Sequence, residues 1–204
     1  MHFCIRIVSL FQSVIICLLS LGIIGNQYLK EDHIFSVIPY SEFYASMALG
    51  YFIFDAIISL YYLHYFGLGF AIHGLVSLVV TYLALDYGFI HYYSAAFLLF
   101  ELSTPFLDIR WFGLKFGTEV FPAWFQLANN VVLIVVFFCA RIVWGWYQFG
   151  YLLVDFYKAY TDPRFPVFGA FLIIVSNLTL DALNVYWFGK MVTVAIGIIK
   201  KKTL

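Results

Sequence analysis

Six stretches of this chain are long, nearly uncharged and apolar, and that repetition limits what the chain can fold into more than any motif does. They fall at about residues 5–25, 42–65, 67–86, 88–107, 122–147 and 165–189. A helix rises 1.5 Å per residue, so about 20 residues cross a hydrocarbon layer of roughly 30 Å. Each stretch meets that length. A water-soluble domain carries roughly a quarter of its residues as Asp, Glu, Lys or Arg. Here 11% of 204 residues are charged, and 64% are hydrophobic. No soluble core of this size could take up that much apolar surface. The sequence therefore predicts an all-α integral membrane protein with about six transmembrane helices, in a single domain over residues 1–204.

Gly67, Gly88, Pro122 and Pro166 sit at the edges of these stretches, where chain-reversing and helix-starting residues belong. The second and third connections are so short that the second, third and fourth spans should form consecutive antiparallel hairpins. The run 191–199 either continues the sixth helix or lies along the interface. The first stretch follows Arg6, as a secretory signal would. However, it is long, and LGIIGN offers no small-x-small cleavage site, so it reads as a retained helix.

Several function classes drop out early. The formal net charge is zero, so no nucleic-acid partner is implied. Cys4, Cys17 and Cys139 lie in or beside apolar runs without metal-ligand spacing, and read as buried thiols. No phosphate loop, HExxH or GxSxG motif occurs, and no metal or resident cofactor is expected. Asn177-Leu178-Thr179 matches a glycosylation sequon but lies inside a span.

The basic residues suggest an orientation. With six spans, both termini share a side with the second and fourth connections. That side holds Arg6, Arg110, Lys115 and Lys200 to Lys202, with Lys190 nearer to it than to the other. The opposite side holds Lys30, Lys158 and Arg164, with Arg141 placed near that end of the fifth span. The asymmetry puts both termini in the cytosol and residues 26–41 and 148–164 in the lumen. Trp111, Trp124 and Trp187 then fall at the cytosolic interface, and Trp144 and Trp146 at the other. The last residues, KKTL within a tail at 200–204, resemble a dilysine retrieval signal, with Lys201 and Lys202 read by coat proteins. A basic cluster meeting anionic lipid heads is the other reading.

Polar residues inside the spans recur every three or four positions, which puts them on one face of each helix. The second span offers Tyr51, Asp55, Ser59 and Tyr62, and the third Gly69, His73, Ser77 and Thr81. The fourth offers His91, Ser94, Glu101, Thr104 and Asp108. The fifth offers Gln126, Asn130 and Arg141, and the sixth Asn177, Asp181 and Asn184. A ring of helices around a polar interior satisfies all of them. Helix-to-helix hydrogen bonding without a cavity is the alternative. Tyr87 marks the turn between spans three and four. His73 lies 14 residues before it and Glu101 14 after it, so the two should be level, with Asp181 at similar depth and Asp55 a little deeper. A level carboxylate can orient an imidazole as base or nucleophile, or the two can merely satisfy each other. Spacing leaves both open.

The stretches GYFIFDAIISLYY, FAIHGLVSLVVTY and YYSAAFLLFELSTPFLDIRWF resemble successive blocks of the TLC-domain family, from about Ser9 to Met191. That family includes ceramide synthases, translocon-associated TRAM proteins and lipid-homeostasis proteins. The ELSTPFLDIRWF block is similar to the "TLC domain-containing" branch rather than to ceramide synthases. Members of that branch often carry further N-terminal sequence. The resemblance implies an endoplasmic reticulum protein with a six-helix barrel around a lipid-binding interior. Ceramide synthases pair two histidines where this chain has His73 and Gly74. They place a His and two Asp where this chain has Phe100, Glu101 and Thr104.

Two functional readings follow. In the first, the protein binds or handles a membrane lipid without transforming it. Asp55, Ser77, Thr104, Asn130, Asp181 and Asn184 would contact the lipid or its headgroup. In the second, it is an acyltransferase that uses acyl-CoA as co-substrate, with His73 as base or nucleophile and Glu101 orienting it. Membrane lipids are the expected partners in both, and neither reading specifies an oligomeric state.

Overall fold

The structure is a computed structural model that describes the backbone of residues 2–203 and the side chains of residues 2–197. The Lys201 and Lys202 side chains, and with them the KKTL expectation, lie outside the described residues. The chain forms α1 (His2–Ile24), α2 (Gln27–Glu31), α3 (Pro39–Tyr61), α4 (Leu63–Phe66), α5 (Leu68–Tyr87) and α6 (His91–Leu98). After these come α7 (Thr104–Phe116), α8 (Ala123–Phe137), α9 (Trp144–Ala159) and α10 (Val167–Thr203). A 3-10 segment, Leu99–Ser103, joins α6 to α7, and a π-helical turn, Phe138–Val143, joins α8 to α9. No strand occurs among the described residues.

Five uninterrupted helices are long and apolar enough to cross a membrane: α1, α3, α5, α8 continuing through α9, and α10. The broken segment α6–α7 packs between α1 and the α8–α9 helix and completes the ring as its fourth segment in chain order. The passes pack as a closed ring in the order first, second, third, sixth, fifth, fourth, with the fourth returning against the first. The expected ring of helices is therefore the observed architecture.

Local chemistry explains the boundaries. Pro39 occupies the first turn of α3, and the Ser41 hydroxyl accepts the Ile38 backbone N–H at 3.1 Å. Gly67 and Gly88 flank α5 with positive φ, as helix ends that reverse direction require. Ile90 also has positive φ, 54°, which is costly for a β-branched residue. Two things hold it there. Its N–H bonds the Ile34 carbonyl, and its side chain is buried with Ile34, Phe89, Tyr93, Leu152 and Phe156. The same end of the bundle is stapled by polar contacts. His33 Nδ1 lies 2.9 Å from Asp155 Oδ2, and Tyr93 donates to that oxygen at 2.6 Å. Beyond α9, Arg164 hydrogen bonds hold the Asp162 carboxyl down at about 2.

Three expectations need correction. The fifth span does not end at 147: it runs unbroken from Ala123 to Ala159, about 55 Å at 1.5 Å per residue. Much of 148–164 is therefore helix rather than connection, because its apolar residues continue to pack on the core through Phe149, Leu152 and Phe156. Arg141 and Trp144 accordingly sit mid-helix, against Phe100 and Ala96 of the broken segment, rather than at a helix end. Of the two readings of 191–199, the one formed is the continuation of the sixth helix. Of the three free thiols only Cys17 is buried; Cys4 and Cys139 are exposed on the outside of the bundle.

The break in the fourth pass positions the site. Pro105 has no N–H to give to the Glu101 carbonyl, which is taken instead by the Thr104 N–H in 3-10 fashion. A break inside a membrane leaves backbone carbonyls that lipid cannot satisfy. The fifth pass supplies their donors. Trp144 Nε1 donates to Ala96 O at 2.7 Å and Arg141 Nε to Phe100 O at 3.0 Å; farther along, Asn129 Nδ2 donates to Phe106 O of α7 at 2.9 Å. The π-helical turn of the fifth pass lies against the 3-10 segment of the fourth.

Candidate functional site

The ring encloses a cavity of about 250 Å³, lined from all six passes. His73, Asp55, Glu101, Thr104 and Arg141 face it, as do Arg6 and Lys190 near the end of the bundle where α1 begins. Aromatic side chains, including Tyr51, Phe54, Phe70 and Trp187, form much of the remaining wall.

Arg141 organises the floor. Only 6% exposed, it donates from Nε to Phe100 O and Ser103 Oγ, from Nη2 to Thr104 Oγ1 at 3.1 Å, and from Nη1 to Asn184 Oδ1 at 3.4 Å. Its Nη2 lies 3.6 Å from Glu101 Oε1, and the guanidinium stacks over the Phe137 ring at 5.1 Å. A buried cation is tolerable only when it is paired and hydrogen-bonded; here Glu101 supplies the countercharge and four acceptors take its N–H groups. Sequence reasoning missed this role because it ended the fifth helix too early. The available signal was the unbroken apolar run after Arg141.

Glu101 and His73 face the same cavity, as their equal distance from Tyr87 predicts. They do not form a hydrogen-bonded pair. Glu101 is held by Arg141, while His73 Nδ1 is buried with no partner among the described residues and its ring meets Trp187 edge-on at 5.7 Å. The expected base-and-orienter arrangement is therefore not formed: the arginine competes for the carboxylate and wins on charge.

The other predicted contacts divide. Asp55 and Thr104 line the main cavity. Ser77 lines a narrow slot of about 50 Å³ deeper in the bundle, which shares His73 and Glu101 with the main cavity and adds Thr81, Ser94 and Asn177. Asn184 stands behind the floor as an acceptor for Arg141. Asp181 is buried against Gly145, where a Cβ would meet Phe100 at 2.9 Å and Asp181 Oδ1 at 3.4 Å. Asn130 accepts from Arg110 at 2.8 Å and takes no part in the site. At the cavity rim, Arg6 pairs with the fully buried Asp108 at 3.0 Å. No group of three metal-ligating side chains occurs among the described residues.

The family signature described as the TLC domain matches residues 2–193, which takes in every pass and the whole cavity. This chain belongs to the TLC-domain family. It is 38% identical to an uncharacterized TLC domain-containing protein of Saccharomyces cerevisiae over 97% of this chain and 64% of that one. It is 31% identical to TLC domain-containing protein 4 of Homo sapiens over 96% of this chain and 73% of that one. It is also 33% identical to Topoisomerase I damage affected protein 4 of Saccharomyces cerevisiae, over 79% and 59% of the two chains. The chain thus spans slightly less than two thirds of the length of several curated relatives. No solved structure matches it.

Within this TLC-domain chain the residue after His73 has a steric reason to be glycine. A Cβ at Gly74 would stand 2.9 Å from Asp55 Oδ2, 3.1 Å from Ser59 Oγ and 3.2 Å from the Ala56 Cα. A larger residue there needs the Asp55 carboxylate to turn away and the α3 backbone at Ala56 to give by a few tenths of an ångström. The Asp55 carboxylate fills the space.

Proposed function

We propose that this TLC-domain protein binds a membrane lipid within its ring of helices and acts in lipid homeostasis at the endoplasmic reticulum without transforming the lipid. The observation that carries this is the cavity of about 250 Å³, lined by all six passes, in which charged side chains sit among aromatic walls. Such mixed lining suits an amphiphile, whose polar end needs fixed partners and whose apolar part needs a dry surface. The Lys/Arg asymmetry supports a cytosolic mouth, since Arg6 and Lys190 stand at that end.

The acyltransferase reading is less well supported. It asks Glu101 to orient His73, but Glu101 is engaged by Arg141.

Native mass spectrometry of the purified protein tests the binding reading. Wild-type protein should retain lipid, and Leu107→Trp, which fills the cavity wall, should lose it without unfolding. Equal retention by the two proteins would place any bound lipid outside the cavity. Acylated product formed from labelled acyl-CoA would overturn the non-enzymatic reading.

A further inference from the structure

The charges around the cavity do not pair off completely, and what is left over describes a ligand. Arg141 is matched by Glu101 and Arg6 by Asp108. Asp55 makes no hydrogen bond or ion pair among the described residues, although it faces the cavity. Lys190 is exposed and rests over the Tyr186 ring at 5.3 Å, without an acid partner among the described residues. Three cations and three carboxylates balance, so the site as a whole favours a ligand of zero net charge. The remaining pair, one carboxylate and one ammonium, favours a ligand that is itself a zwitterion.

Depth orders the two charges. Asp55 lies beside Gly74, at the level of His73. Lys190 is one turn of α10 beyond Trp187, which contacts Gly69 and His73, so it lies nearer the mouth. Arg6 joins it there, over the Phe66 ring at 6.0 Å. Arg6 uses only one N–H on Asp108 and has others free for an anion. At the inner end, Ser59 donates to Ala56 O and keeps its lone pairs. Asp55 and Ser59 are therefore both acceptors, a pair that suits an N–H donor and gives nothing extra to a quaternary ammonium. Volume sets the size. Pockets for drug-sized ligands run roughly 300–1,000 Å³, so about 250 Å³ takes a headgroup and not two acyl chains.

We infer that the cavity recognises a phosphoethanolamine group, with its primary ammonium on Asp55 and its phosphate between Arg6 and Lys190. This inference rests on the lipid-binding reading and names the headgroup. In a membrane the lipid enters headgroup first from the mouth, its chains staying in the bilayer.

The test compares binding of dihexanoyl phosphatidylethanolamine, dihexanoyl phosphatidylcholine, dihexanoyl phosphatidic acid and free O-phosphoethanolamine to the purified full chain. The ethanolamine lipid should bind at least tenfold tighter than the other two lipids. Asp55→Asn keeps the shape of the side chain and should remove that preference. Lys190→Gln, at an exposed position, should weaken the ethanolamine lipid and phosphatidic acid by the same factor. Equal affinity for the three lipids, all blocked by Leu107→Trp, would sink the headgroup assignment and leave the lipid-binding reading standing. Binding of no lipid and no phosphoethanolamine would sink both. If free O-phosphoethanolamine binds as tightly as the lipid, the headgroup assignment stands and the lipid reading falls.

Discussion

Replacing Arg141 by methionine keeps most of the side chain's volume and removes its charge and all its donors. Glu101 would then lie 8% exposed without its cation. Removing one partner of a buried ion pair costs about 3–5 kcal/mol, because the survivor is left as an uncompensated buried charge. Phe100 O, Ser103 Oγ and Thr104 Oγ1 also lose a donor, at about 1–3 kcal/mol for each group that finds no substitute. Ser103 already donates to Phe100 O at 3.1 Å, so that carbonyl is partly covered and the lower end of the range applies to it. Counting Glu101 and the Phe100 carbonyl, and leaving the two hydroxyls to turn to other partners, the single variant should lose about 4–6 kcal/mol, of which most belongs to Glu101. Adding Glu101→Gln should recover about 2–4 kcal/mol of it, since a neutral amide tolerates burial far better than an unpaired carboxylate. Thermal unfolding in mild detergent, followed by tryptophan fluorescence, reads this directly. One kcal/mol shifts Tm by about 2–4 °C at this size, so the single variant should melt about 8–24 °C below wild type and the double variant well above the single. An Arg141→Met protein as stable as wild type, or a double variant no better than the single, would refute the ion-pair account of the floor.

Other outcomes follow from the same geometry. Gly74→Ala should destabilise by about 1–3 kcal/mol through overpacking against the α3 backbone; it should also displace Asp55, read as reduced lipid retention in native mass spectrometry. Trp144→Phe should lower thermal stability by about 1 kcal/mol, because Ala96 O loses its donor, and an unchanged Tm would mean water serves that carbonyl. Single cysteines placed at 160–166 and 117–122, in a background without the native three, should react oppositely with an impermeant thiol reagent on sealed microsomes. Labelling of 160–166 without permeabilisation would reverse the proposed orientation. Lys201→Ser with Lys202→Ser in the full-length protein should release it from the endoplasmic reticulum, and an unchanged reticular distribution would locate the signal elsewhere.

The five long apolar helices, the turns at Gly67, Gly88, Pro122 and Pro166, and the level placement of His73 and Glu101 all follow from the sequence. Each depends on local rules: apolar run length against bilayer thickness, glycine and proline chemistry, and a constant rise per residue. The polar stripes likewise pointed to an interior, because lipid cannot satisfy Asp55, Glu101 or Arg141. What the sequence alone did not determine is which buried charge meets which. Glu101 had two reachable partners, His73 across one turn and Arg141 from a distant helix. The choice depended on the fifth pass continuing to Ala159, which slides Arg141 from the interface to mid-depth, where the break at Pro105 leaves carbonyls without donors. Asp181 and Asn130 show the same limit from the other side. Both sit on polar stripes, yet Asp181 is buried against Gly145 and Asn130 is held by Arg110. A helical stripe fixes a direction only to within a neighbouring helix. Whether that direction meets a cavity, a glycine or an arginine depends on how the ring closes.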